Sequence, residues 1–295
     1  MFLGRVIAIA NQKGGVGKTT TAVNLGASLA ASKHRTLIID SDPQANATSA
    51  LGFPKDPARR TLYQTFIHGE PLEKIILNAK FDSLDLIPSD KNLVGAAVEL
   101  VPMENREFRL KEALRDIREK YPFVLIDCPP ALDLITVNAL AASDSVLVPI
   151  QCEYLALEGV SELLDTLMRL RRTINPSLEI EGILLTMYDD RTTLSKQVAA
   201  DLRSFFGSQV FKTMIPRNVR LAEAPSHGVP AIIYDASSKG AESYIHLARE
   251  VIANAEKRVR QGSERLNSGD RASASAAAGA RGVGSGGGGS GSSSD

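Results

Sequence analysis

The chain has 295 residues, 43% of them hydrophobic, and a formal net charge of zero. That is enough apolar material for one large core, and it excludes a globally basic nucleic-acid binder, so any such surface must be a local patch. Cys128 and Cys152 form no C-x-x-C pair and the four histidines share no metal-ligand spacing, which argues against a zinc site or disulfide framework and favours a reducing compartment.

In chain order, short Val/Ile/Leu-rich runs alternate with amphipathic stretches. "RVIAIAN", "TLIID", "LDLIP", "FVLIDCP", "SVLVPI", "IEGILLTM" and "VFKTMIP" read as buried strands, with "AIIYD" an eighth. Helical patterns cover Thr19 to Ser32, Glu107 to Lys120, Leu134 to Ala141, Glu158 to Arg172, Leu194 to Phe206 and Gly240 to Arg260. Between Gly52 and Pro88 the sequence predicts loops and short helices at the domain's edge. This rhythm predicts an α/β fold, a doubly wound, mostly parallel sheet with helices on both faces; the G-K-T pattern at residues 17–19, between a strand and a helix, makes it of P-loop NTPase type. It occupies residues 1–260, and the Gly/Ser/Ala-rich residues 261–295 read as a flexible, disordered tail. No run approaches eighteen apolar residues and "MFLGRV" is too short for a signal peptide, so a cytoplasmic protein is expected.

The chemistry gathers just after strands, where ligands sit in such sheets. "NQKGGVGKTTT" (residues 11–21) nearly matches G-x-x-x-x-G-K-[ST]. Its first glycine is replaced by Gln12, and an extra lysine, Lys13, stands beside it. Gly14, Gly15, Val16, Gly17, Lys18, Thr19 and Thr20 form the expected phosphate cradle at a helix N-terminus. Lys18 should reach the β- and γ-phosphates, and the Thr19 hydroxyl should ligate Mg²⁺. "TLIIDSDPQAN" sets Asp40 and Asp42, and "FVLIDCPP" sets Asp127, at further strand ends. Any one of them alone could be a helix cap or turn residue. Together they suit phosphoryl transfer, with Asp42 orienting the attacking water and Asp40 and Asp127 supporting the metal. The cysteines read as small core residues rather than reactive thiols.

The segments "KGGVGKTTT", "DSDPQANAT", "LIDCPP", "PIQCEYLALEG" and "IPRNVRLAEAPSHGVP" resemble the ParA/MinD deviant Walker A ATPases, closest to the chromosomal ParA proteins of the Soj type. The likeness covers roughly residues 4 to 255. Ala45 departs from it where many relatives have glycine. The resemblance implies ATP and Mg²⁺ as cofactors and an ATP-dependent homodimer in which Lys13 crosses to the nucleotide of the second subunit. A lysine ahead of the glycines need not serve its own phosphates, and offered in trans it neutralises charge as an arginine finger does. The resemblance further implies adenine contacts at Pro216 and Asn218, although turn chemistry alone would also explain those residues. It implies DNA-backbone contacts at Arg191 and Arg220, with Lys196 and Arg203 on the helix between; ordinary solvated arginines are the alternative. Glu153 and Glu158 lie in an interface segment by similarity, or are capping acids.

Two subunits acting together double a small basic patch, which couples ATP occupancy to sequence-independent DNA binding. A ParB-type partner that accelerates a weak ATPase, an effect on a replication initiator in some relatives, and a nucleoid-associated location complete what the resemblance implies. The first strand starts almost at Met1, so no N-terminal operator-reading module is expected. A MinD-like membrane surface is the alternative readout, but "LAREVIANAEKRVRQ" carries mostly Ala and Val on its apolar side where an anchor needs bulky residues. An iron-protein relative would need cysteines placed to bridge a dimer with a cluster. A metabolic P-loop enzyme would need a second catalytic set.

Overall fold

The structure, a computed structural model, describes residues 4–154 and 156–281. Its centre is a seven-stranded sheet in the order β3-β4-β2-β5-β1-β6-β7. The strands are β1 (Arg5–Ile9), β2 (Thr36–Asp40), β3 (Leu77–Asn78), β4 (Leu84–Ile87), β5 (Phe123–Asp127), β6 (Ser145–Gln151) and β7 (Glu179–Thr186). All neighbours pair parallel except β3, a two-residue edge strand antiparallel to β4. Val6 to Ile9, Leu37 to Ile39 and Val124 to Ile126 are fully buried. Such unbroken apolar runs are what a parallel sheet covered on both faces requires.

The principal helices are α1 (Lys18–Ala31), α2 (Asn46–Ala50), α3 (Leu62–His68), α4 (Leu93–Glu99), α5 (Arg109–Leu114), α6 (Leu134–Ala142), α7 (Ala156–Thr173), α8 (Thr193–Phe206), α9 (Val219–Glu223), α10 (Ala231–Tyr234) and α11 (Lys239–Arg281). The segment expected as one helix from Glu107 to Lys120 is α5 plus a separate 3₁₀ turn at Arg118–Lys120.

Two expected strands are not strands. "VFKTMIP" runs beside β7 and donates from Phe211 N and Ile215 N to the carbonyls of Ile183 and Leu185, yet it forms only isolated bridges. The N–H groups of Lys212 and Thr213 turn instead to the carboxylate of Glu250, at 2.8 and 3.1 Å. "AIIYD" is the single turn α10. Pro230 precedes it, and the first N–H, of Ala231, is taken by the Asn24 side chain at 2.7 Å, so capping outweighs the β-branched composition.

The chain divides into two compact units at Val251/Ile252. The first unit holds the sheet. In the second, α11 continues through Arg281, beyond Arg260 where the sequence reading ends the domain; residues 282–295 of the expected tail lie outside the described residues. One close approach within the first unit bears on the site. A Cβ on Gly52, just after α2, would stand 2.8 Å from the carbonyl oxygen of Gly228, and one on Gly228 would stand 2.6 Å from the Gly52 Cα. Both residues have positive φ, 83° and 65°, so only glycine meets both demands.

Candidate nucleotide site

The carboxyl ends of β1, β2 and β5 lie side by side. The register pairs Ile9 with Asp127 and Asp127 with Asp40, so the loop after β1 begins next to two carboxylates drawn from distant sequence. Asn11 fixes the start of that loop. Its Nδ2 donates to the Pro149 carbonyl at 2.8 Å and its Oδ1 accepts from Lys13 N at 2.9 Å. Gly15 and Gly17 both have positive φ, which curls the backbone before α1 starts at Lys18. The Thr186 hydroxyl, at the end of β7, donates to the Val16 carbonyl at 2.8 Å. That buried tie joins the loop to the edge strand β7, two strands away from β1. It was not legible in the sequence, because a threonine ending a strand carries no signature.

Lys18 is buried, with 7% exposure, and its Nζ donates to the Lys13 carbonyl at 3.2 Å. Burial pulls its pKa down, while Asp127, Cys128 and Asp42 oppose that shift. The buried Lys18 side chain thus stands among acidic groups. Asp40 is fully buried and pushed up to about 7 by desolvation, against hydrogen bonds from Thr48 and Asp42 N that lower it. Asp127 is raised well above the carboxylate range by burial first and then by the Asp40 charge. Neither of its oxygens accepts a hydrogen bond of normal geometry, and the Thr19 side chain offsets the shift only in part. Two adjoining buried carboxylates, one unpartnered, suit a hard divalent cation with oxygen ligands. Asp40 and Asp127, with Thr19 beside Asp127, are the residues that would hold such an ion.

That arrangement carries a cost when no cation is bound. Because the folded pKa of Asp127 lies above its unfolded value, the folded state holds more protons, and stability falls as pH rises through that interval. Asp127→Asn removes the penalty. The nucleotide-free variant is expected to melt roughly 4 °C above the wild type at pH 8, with a smaller gap at pH 5.5. Thermal unfolding at both pH values checks this, and a variant that melts lower at pH 8 contradicts it.

Lys13 does not turn to its own cradle. Its Nζ lies 3.1 Å from Glu153 Oε2, both side chains being about half exposed, and Gln151 Nε2 donates to the other oxygen of Glu153. Glu153 is thus a partner of Lys13, a role the sequence left between interface and cap; the Glu158 side chain lies outside the described residues. Asp42 follows β2 on a loop held from both sides. Its N–H donates to Asp40 Oδ1 at 3.2 Å, its Oδ1 accepts from Gln44 N at 2.9 Å, and its carbonyl accepts from Ser89 Oγ at 2.6 Å. Ala45, where the resemblance favours glycine, has φ 56°. The left-handed position is kept here with a side chain, at some strain.

The segments after β7 are stitched together. Tyr188 N donates to the Ile215 carbonyl at 3.0 Å and Arg217 N to the Tyr188 carbonyl at 3.1 Å, which aligns the loop of Arg191 with the loop of Pro216 and Asn218. Asn218 Oδ1 caps α9 by accepting from Arg220 N at 3.0 Å. Arg191 is exposed and makes two bonds to Asp189, at 2.9 and 2.7 Å; that guanidinium holds the Asp189 carboxyl well below its usual range. Arg220 pairs with Glu223 at 2.8 Å and with Asp235 at 3.3 Å. Both candidate DNA contacts therefore already have carboxylate partners. Among the described residues no helix is long and apolar enough to cross a membrane.

A family model described as an AAA domain matches residues 4–180. The chain is 53% identical to the sporulation initiation inhibitor protein Soj of Bacillus subtilis, over 85% of this chain and 100% of that one. It is 51% identical to the chromosome partitioning protein ParA of Myxococcus xanthus, over 85% and 88%. Among solved structures, cobyrinic acid a,c-diamide synthase from Mycobacterium smegmatis, with bound ADP and magnesium, superposes with a TM-score of 0.74 at 35% identity, covering 84% of this chain and 94% of that one. The cell division ATPase MinD of Pyrococcus furiosus gives 0.70 at 28% identity, covering 85% and 99%.

Proposed function

We propose that this chain, which belongs to the ParA/Soj family of chromosome-partitioning ATPases, is a weak ATPase whose Mg²⁺–ATP-bound form pairs into a homodimer and holds DNA without sequence preference until hydrolysis releases it. The observation that carries the reading is the division of labour between two lysines: Lys18 is buried in the cradle while Lys13 is turned outward onto Glu153. A second subunit docking on this face would meet Lys13 with its own γ-phosphate.

In this reading the cradle amides and Lys18 bind the phosphates, and Asp42 orients the attacking water. Thr19, Asp40 and Asp127 would hold Mg²⁺, whose chemistry is to neutralise charge developing on the phosphate oxygens. Asn218, with its Oδ1 used by the α9 cap, contacts adenine through its remaining amide group or backbone, beside Pro216. A ParB-type partner accelerates turnover, and the protein distributes between cytoplasm and nucleoid.

Arg191 and Arg220 are the DNA contacts of this reading. Each must exchange a carboxylate for a phosphate, and exposed ion pairs are worth only about 0–1 kcal/mol, so the exchange is easy. One subunit alone then gains little, and the paired form gains twice. Gel-shift titration over a salt series is expected to give tight duplex binding with ATP and weak binding with ADP. Arg191→Ala with Arg220→Ala should lose at least tenfold in affinity and show a shallower salt slope. Equal affinity in ADP and ATP, or binding to anionic liposomes only, overturns the reading.

A further inference from the structure

We infer that Ser89 is a positioning residue for Asp42, the anchor through which β4 sets the direction of the water-orienting carboxylate. The inference rests on the role of Asp42 in the reading above. Ser89 follows β4 across Pro88 and is buried, at 4% exposure. Both its polar groups engage the segment after β2. Its Oγ donates to the Asp42 carbonyl at 2.6 Å, and its N–H donates to Thr48 Oγ1 at 3.0 Å. Thr48 then delivers its hydroxyl and its N–H to one oxygen of Asp40, at 2.7 and 2.8 Å. The other Asp40 oxygen accepts the N–H of Asp42.

These bonds close a ring through Asp42, Ser89, Thr48 and Asp40. Its consequence is geometric. The peptide groups on both sides of the Asp42 Cα are pinned, one by Asp40 and the other by Ser89 together with the Ala45 N–H at 2.9 Å, so the direction of the Cα–Cβ bond is fixed before any ligand arrives. The Gln44 N–H on Asp42 Oδ1 then limits rotation of the carboxylate. Of the two anchors, Asp40 belongs to the metal-holding pair, whereas Ser89 has no place in the binding chemistry. It contributes alignment alone. Ser89 and Thr48 also line a cleft of about 550 Å³ together with Pro43, Gln44 and Ala45, and of the two donors to the Asp42 carbonyl only Ser89 ties it to β4, Ala45 belonging to the same turn.

Removing the hydroxyl takes one of two donors from the Asp42 carbonyl, which keeps only the N–H of Ala45 at 2.9 Å, and so loosens the loop's hold on β4. A reacting group misplaced by about 1 Å can cost on the order of a hundredfold in rate, and with the Asp40 and Ala45 bonds retained the expected loss is about tenfold. The test is steady-state ATP turnover of full-length wild type, Ser89→Ala and Ser89→Thr, with ATP affinity, ATP-dependent pairing and melting temperature measured on the same samples. The expected result is a kcat about tenfold lower for Ser89→Ala with KM, ATP affinity and pairing close to wild type, and recovery in Ser89→Thr, which keeps the donor. Wild-type turnover in Ser89→Ala overturns the inference. So does a joint fall of kcat, affinity and melting temperature in both variants, which would mark a merely structural serine. Asp42→Ala is the companion variant: undiminished turnover there removes the assignment of Asp42 itself, and Ser89 with it, whereas loss of turnover in Asp42→Ala with none in Ser89→Ala removes Ser89 alone.

Discussion

Lys13→Ala is expected to abolish ATP-driven pairing of subunits and to lower ATP turnover by about 10³-fold, the low end of what a cation supplied in trans contributes to phosphoryl transfer. ATP should still bind the single subunit, because the buried Lys18 and the cradle amides remain. The Lys13–Glu153 contact decides how strongly the lysine is held back in the unpaired protein. Both side chains are about half exposed, and pairs of that kind contribute roughly 0–1 kcal/mol. That is too little to hold Lys13 against the multiple negative charge of a triphosphate offered by a partner. Glu153→Gln should accordingly shift the ATP concentration needed for pairing by less than about fivefold. Light scattering with a slowly hydrolysed ATP analogue measures both variants. A Lys13→Ala protein that still pairs at wild-type concentrations would remove the central assignment.

The second large effect is expected at Lys18. Its ammonium is buried, and desolvation lowers its pKa against the opposing influence of Asp127, Cys128 and Asp42. Lys18→Ala takes the only buried cation described in the cradle away from the phosphates. Truncating one partner of a buried charge pair costs about 3 kcal/mol, which corresponds to roughly a hundredfold weaker ATP affinity. Titration calorimetry should register that loss in the single subunit, before pairing enters. The two lysines are thus separable: one variant loses the nucleotide, the other loses the partner. Were Lys18→Ala to bind ATP as tightly as wild type, the cradle would not be the nucleotide site.

How much of this was readable from the sequence varies with the kind of residue. The positions of the glycine-rich loop, Asp40 and Asp127 at strand ends were legible because the apolar runs marked those ends. The register that makes Asp40 and Asp127 neighbours follows from the strand order, which the rhythm alone did not specify. Ser89, Thr48 and Thr186 were invisible. Each is an ordinary hydroxyl whose role comes from a partner brought near by folding. Glu153 was seen as an acid in an interface segment, but its pairing with Lys13 joins residues far apart in the chain. "VFKTMIP" misled because its composition is that of a strand, while the fate of its N–H groups depends on Glu250. "AIIYD" misled through its isoleucines, with Pro230 and the side chain of Asn24 deciding otherwise. The edge strand β3 is two residues long, too short for any period to register.

The meeting of Gly52 and Gly228 bears on how motion passes through the molecule. Where two main chains press directly on one another, no side-chain rotamer is available to take up slack. A shift of the turn that follows the Asp42 loop must therefore push the segment behind Arg220, or the two must part completely. Any larger residue at either position would act as a wedge.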